Sequence, residues 1–126
     1  QCIIAADTVV VLGQTIIGKP TNKQEAIESL LSLSGQTHKV ITGVVLLHQG
    51  QEISFSETTL VEFHVLTAEQ IEFYVDKYKP YDKAGGYAIQ EWIGVVGIKK
   101  ITGDFYNVMG LPVSKLVQTI KQLDIS

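Results

Sequence analysis

Asp7 and Thr8 lie inside an apolar run, with Ile3-Ile4-Ala5-Ala6 before them and Val9-Val10-Val11-Leu12 after, that otherwise reads as a buried strand. An ionised carboxylate in such a strand is costly unless it is paired, hydrogen-bonded or bound to metal. Asp7 therefore needs a reason. A turn at Gly13-Gln14 and a short return through Thr15-Ile16-Ile17 lead to Gly18-Lys19-Pro20, and a hairpin here carries Lys19 back towards Asp7. A carboxylate can orient or deprotonate a water while a nearby ammonium meets negative charge. The same pair could instead serve stability alone, with Asp7 capping a loop or pairing with a lysine.

Two further stretches carry chemistry of the same kind. In Asp82-Lys83-Ala84-Gly85-Gly86 the small residues let backbone approach a ligand, and Lys83 offers positive charge. The stretch lacks the spacing of a Walker loop or a dinucleotide fingerprint, and a surface turn has the same composition. Gln90 presents an amide with both donor and acceptor, which complements the edge of uracil or thymine, although a lone Gln after a strand also suits solvent. His38, His48 and His64 show no metal-ligand spacing. Ser54 and Ser56 lack a nucleophile elbow, and Cys2 has no visible thiolate-activating setting. Spacing alone stops at a site sized for a nucleotide polyanion.

These residues need a scaffold, and the patterning predicts one. Thr21 with Gln24 reads as a capping box opening a helix on Ala26, Ile27, Leu30 and Leu31, stopped at Ser34-Gly35. Val40 to Leu47 is apolar on both faces and reads as a central strand, followed by a turn at Gln49-Gly50. Thr59, Val61, Phe63 and Val65 then alternate with Leu60, Glu62 and His64. Thr67 with Gln70 is a second capping box, and Ile71, Tyr74, Val75 and Tyr78 form its helical stripe, the tyrosines reading as core edge. Pro80 ends that helix, and the Asp82–Gln90 loop opens into a short extended piece. Gly94 to Ile101 reads as a strand, with Phe105 to Val108 continuing it past Gly103-Asp104. Pro112 starts a last helix on Val113, Leu116, Val117 and Ile120. The expectation is an α/β layer fold, a mixed sheet covered by helices, in a single domain over residues 1–126.

Composition bounds the function. The 126 residues are 45% hydrophobic, enough for a real core. Ten Lys and Arg against thirteen Asp and Glu give a net charge of −3 with no basic run, so the footprint of a duplex-binding protein is absent. No apolar stretch reaches the ~20 residues of a membrane helix. The single cysteine cannot form an intrachain disulfide, which fits a reducing, cytoplasmic setting. The chain opens on Gln1-Cys2 directly into a strand-like run, and the expectation is a fragment whose first segment is absent.

Read together, Ala6-Asp7-Thr8-Val9-Val10 and Gly18-Lys19-Pro20 resemble the A-D-T-x-V and G-K-P signatures of the Maf-family nucleotide pyrophosphatases. Ser34-Gly35, Thr37-His38 and Thr42-Gly43 resemble the family's L-S-G-x-x-H-x-V-x-T-G stretch. Asp82 to Gln90 is similar to D-K-A-G-x-Y-x-I-Q, and Gly103 to Val108 with Gly110-Leu111-Pro112 is similar to the G-D-Y-Y-N-V-x-G-L-P end. The resemblance implies a mixed twisted sheet flanked by helices, of the Maf and inosine triphosphatase-like kind. It implies hydrolysis of a nucleoside triphosphate to the monophosphate and pyrophosphate with a divalent metal, Mg²⁺ or Mn²⁺. On it, Asp7 is the proton acceptor for the attacking water and a metal ligand, Lys19 and Lys83 meet phosphates, and Thr8 and Gln90 set substrate choice. The motif holding Lys83 and Gln90 resembles the branch acting on dTTP and UTP.

One departure bears on activity. Family members begin with an S-x-S-P-R-R phosphate loop, and nothing here corresponds to it. The first strand and helix of the fold are then expected to be missing as well, leaving an apolar sheet face uncovered that favours a homodimer. A second class of function stays open, a non-catalytic nucleotide-binding or septum-related interaction protein.

Overall fold

The computed structural model describes residues 2–122. Strands β1 (Cys2–Leu12) and β2 (Thr15–Ile17) form the expected hairpin, turning at Gly13, whose φ of 62° suits glycine. β3 (Thr37–His48) and β4 (Gln51–Phe63) make a long hairpin around Gln49-Gly50, and β5 (Ile98–Thr102) pairs with the end of β4. The order is β2-β1-β3-β4-β5, and every described pairing is antiparallel. Helices α1 (Lys23–Leu33), α2 (Ala68–Tyr78), α3 (Trp92–Gly97), α4 (Phe105–Val108) and α5 (Val113–Gln122) accompany this sheet. The α/β expectation of a sheet flanked by helices holds.

The β3 register explains where the core sits. His38, Val40, Thr42, Val44 and Leu46 are buried, and the residues between them are not. Val40 and Val61 join Ala26, Leu30 and Leu33 of α1 and Ile71, Tyr74 and Val75 of α2 in the main core. Val44 and Leu46 meet Leu116 of α5 in a smaller one. β3 is central in the sheet order, as its apolar run predicts, but only one of its faces is covered by the described residues. On the other face Ile3, Ile16, Leu47 and Leu60 are exposed.

Several local expectations are corrected. The α1 N-cap is Asn22, one residue after Thr21. Its side chain accepts from the Glu25 amide, while the Glu25 carboxylate accepts from the Thr21 amide and hydroxyl. Leu31 is exposed and Leu33 takes its place in the core. Residues 94–97 are helical within α3, so the strand begins only at Ile98. Phe105 to Val108 is a helical turn capped by the Asp104 side chain, with no strand continuation. Residues 84–86 form a 3₁₀ turn, and the stretch after it joins no strand. Val65 lies beyond β4 and is exposed. The Thr67 capping box of α2 is present in full, with the Thr67 hydroxyl taking the Gln70 amide and the Gln70 side chain taking the Thr67 amide.

Candidate active site

β1 pairs with β3 along Cys2–Val11, but β2 reaches only Val10–Leu12. Beside Asp7 and Thr8 the outer edge of β1 therefore carries no strand among the described residues. Neighbouring residues of a strand point to opposite faces, yet both reach a cleft that runs along this open edge. The cleft holds about 310 Å³ and is lined by all five candidate residues, Asp7, Thr8, Lys19, Lys83 and Gln90, together with Asp82, Met109 and Gly110. Asp7 is exposed, because Val10 is the one fully buried residue of β1. Asp7 is thus not the buried carboxylate that the apolar run predicts: it stands at an accessible edge, where its Oδ1 accepts the Thr8 amide at 3.1 Å. Opposite it on β3 is Gly43, which leaves the space beside the carboxylate free of a side chain.

The two lysines arrive on loops that are tied together. The Gly85 amide donates to the Gly18 carbonyl at 3.3 Å, joining the Gly18-Lys19-Pro20 turn to the Asp82–Gly86 loop. Gly85 has a φ of 74°, and a Cβ there would meet the Val10 side chain at 3.0 Å, so backbone geometry and packing both call for glycine. Lys83 Nζ lies 3.7 Å from its neighbour Asp82, an exposed pair of little energetic weight that leaves the ammonium available to an anion. Among the described residues neither lysine makes an ion pair with Asp7.

Gln90 is exposed at the cleft but stands between anchored neighbours. The buried Tyr74 hydroxyl of α2 accepts the Ala88 amide at 3.0 Å and donates to the Glu91 carboxylate at 2.6 Å. Burial raises the Tyr74 hydroxyl far above its ordinary pKa, so it stays a neutral donor. Thr8 is held from the other side. Its hydroxyl lies 2.9 Å from that of Thr42, which donates to the Asn107 carbonyl at 3.3 Å. The Asn107 side chain, fully buried, donates from Nδ2 to the Val40 and Glu57 carbonyls and to Thr59 Oγ1, at 3.0 to 3.1 Å. This hooks α4 and the following Met109-Gly110 wall onto β3 and β4.

Sequence reading gave no role to Thr42, Tyr74, Asp82 or Asn107 in the site. Asp104 two residues before Tyr106 was a visible N-cap signal that would have placed α4. Nothing local signals that Asn107 is buried.

A family model described as Maf-like protein matches residues 1–123. The chain belongs to the Maf-like protein family. It is 50% identical over 123 residues to a dTTP/UTP pyrophosphatase of Bacteroides thetaiotaomicron, covering 98% of this chain and 64% of that protein. It is 51% identical over 121 residues to a dTTP/UTP pyrophosphatase of Parabacteroides distasonis, with 96% and 63% covered. A dTTP/UTP pyrophosphatase of Porphyromonas gingivalis is 50% identical over 119 residues, with 94% and 60% covered. The chain spans less than two thirds of the length of these curated relatives.

Among the described residues no group of three His, Cys, Asp or Glu side chains could hold an ion on its own. Asp7 and Asp82 both line the cleft, and Mg²⁺ characteristically takes one or two carboxylates and completes its shell with water and substrate phosphates. The donor set fits an ion that arrives with a polyphosphate. No described helix is long and apolar enough to cross a membrane.

His38, in the Thr37-His38 stretch of the family motif, is a core residue. Its Nε2 lies 2.7 Å from the Tyr87 hydroxyl, and the two rings pack edge-on with each other and with Phe63. Burial lowers the His38 pKa from 6.5 to about 4. The folded protein resists protonation that the unfolded chain accepts, so this stabilisation is complete above about pH 6.5 and is lost as the pH falls towards 4, by about 3 kcal/mol in all. Urea midpoints measured between pH 7 and pH 4 should fall over that window, and His38→Gln should remove this share of the slope.

Proposed function

We propose that this chain carries the nucleotide site of an enzyme that hydrolyses pyrimidine nucleoside triphosphates, dTTP and UTP, to the monophosphate and pyrophosphate. The observation that supports this reading is the convergence of Asp7, Lys19, Lys83 and Gln90, from three separate parts of the sequence, on one cleft. The names of the family relatives point to the same substrates.

In this reading Asp7 accepts a proton from the water that attacks the α-phosphorus, an effect worth about 10²–10⁴-fold. The bond from that phosphorus to the bridging oxygen breaks, and pyrophosphate leaves. Lys19 and Lys83 meet the charge that gathers on the phosphates, where fixed positive groups act without reorganising. Gln90 and Thr8 face the pyrimidine, the glutamine amide offering a donor to a carbonyl and an acceptor to an imide N–H. A divalent cation, Mg²⁺ or Mn²⁺, held by Asp7 with the phosphate oxygens, would supply further positive charge to the triphosphate.

The test is pyrophosphate release from dTTP, UTP, CTP and GTP with Mg²⁺, using this chain and the full product of its gene. Release from dTTP and UTP, with CTP and GTP slower by about tenfold or more, is the expected result. No release from any of the four by the full product would leave the second reading, a nucleotide-binding or interaction protein without catalysis.

A further inference from the structure

The hydrogen bonds behind Thr8 have a direction. A carbonyl oxygen only accepts, so in the 3.3 Å contact between Thr42 Oγ1 and the Asn107 carbonyl the proton belongs to Thr42. A hydroxyl has one proton, and that of Thr42 is spent there. Either direction suits the 2.9 Å contact between the two threonine hydroxyls, and the one that keeps the Thr42 proton on that carbonyl makes Thr8 the donor. In that arrangement the Thr8 proton points inward, and towards the cleft Thr8 Oγ1 has only lone pairs. Gly110 adjoins Thr8 there, and a Cβ on it would come into van der Waals contact with Thr8 Oγ1 at 3.8 Å.

We infer that Thr42 is a positioning residue for substrate selection: it holds Thr8 as an obligate acceptor, which favours a base bringing an N–H donor over one bringing a lone pair. The inference rests on the pyrimidine reading above and deepens it. Uracil and thymine carry a protonated N3 between two carbonyls, whereas cytosine carries an unprotonated N3. With Thr8 free to rotate, its hydroxyl could donate to cytosine N3 as readily as accept from uracil N3–H. With its proton committed to Thr42, only the second arrangement is satisfied, and cytosine would set one lone pair against another. Gln90, on the same cleft, can donate to the neighbouring carbonyl.

Thr42→Val tests this with little change of shape. The Asn107 carbonyl still accepts the Gly110 amide at 3.0 Å, so the buried oxygen is not orphaned. Equilibrium binding of UTP and CTP is measured on the full gene product for the wild type, Thr42→Val and Thr42→Ser, with pyrophosphate release followed in the same samples. The expected result is a wild type that prefers UTP, a Thr42→Val variant whose UTP-to-CTP affinity ratio falls by about tenfold, and a Thr42→Ser variant that keeps the wild-type ratio. A merely structural role would weaken both nucleotides together and leave the ratio unchanged, which overturns the inference. A wild type that binds UTP no better than CTP overturns it too. Collapse of the ratio in Thr42→Val without pyrophosphate release from any sample would support the Thr42 relay and sink the catalytic reading alone.

Discussion

Asp7→Asn should reduce pyrophosphate release by at least about 10²-fold while leaving the fold intact. The two halves of this expectation come from different observations. Asp7 is exposed on the open edge of β1, and the hydrogen bond given to its side chain is from the Thr8 amide to Oδ1, which an asparagine oxygen accepts equally well. The substitution therefore removes a proton acceptor and a negative charge without leaving a buried group unpaired. Steady-state rates on dTTP and UTP, compared with unfolding midpoints in urea, separate the two effects. A variant with wild-type turnover would remove Asp7 from the mechanism. One that loses activity and stability together would show a structural residue.

The largest effect on stability is expected at a position with no polar atom in its side chain. A Cβ built on Gly94, early in α3, overlaps the carbonyl of Ile89. The obstacle is backbone, so no rotamer change relieves it. Alanine has a better helix propensity than glycine by about 1 kcal/mol, but overpacking against a fixed main chain costs on the order of 3 kcal/mol. The clash should win. Gly94→Ala should lower the unfolding free energy by about 2 kcal/mol net, read as a fall in the urea midpoint, and a stability equal to the wild type would contradict the close approach. Relief of the overlap requires moving Ile89, next to Gln90, so nucleotide selectivity should degrade in whatever fraction remains folded.

The sequence was most legible where the signal was local. The capping box at Thr67 was read correctly, because one hydroxyl and one amide three residues apart decide it. At α1, Thr21 and Asn22 are both competent caps, but Asn22 takes the Glu25 amide while Thr21 donates to the Glu25 carboxylate, so reading Thr21 with Gln24 missed by one residue. Ile93-Gly94-Val95-Val96 and Phe105-Tyr106-Asn107-Val108 both look like strands by composition. The first becomes helical, with Gly94 packed against the Ile89 carbonyl. The second is turned by the Asp104 cap and held by Asn107 inside the protein. Tertiary contacts decide those, and composition does not carry them. The candidate site divides similarly. Spacing alone left Lys83 and Gln90 as a plausible loop and a lone glutamine, and the ordered motifs placed them with Asp7 and Lys19. The residues behind the site, Thr42, Tyr74 and Asn107, act through pairs 14 to 67 positions apart, beyond the reach of any periodicity.

The walls of the cleft run from Asp7 and Thr8 near one end of the described chain to Met109 and Gly110 near the other. No partly folded form that lacks either end can present it. Whatever fills the cleft is therefore selective for the native state, and mass action converts that selectivity into resistance to unfolding of the whole domain. At a hundred times its dissociation constant a bound nucleotide adds about 2.7 kcal/mol, and it does so to α1 and α5 as much as to the loops it touches.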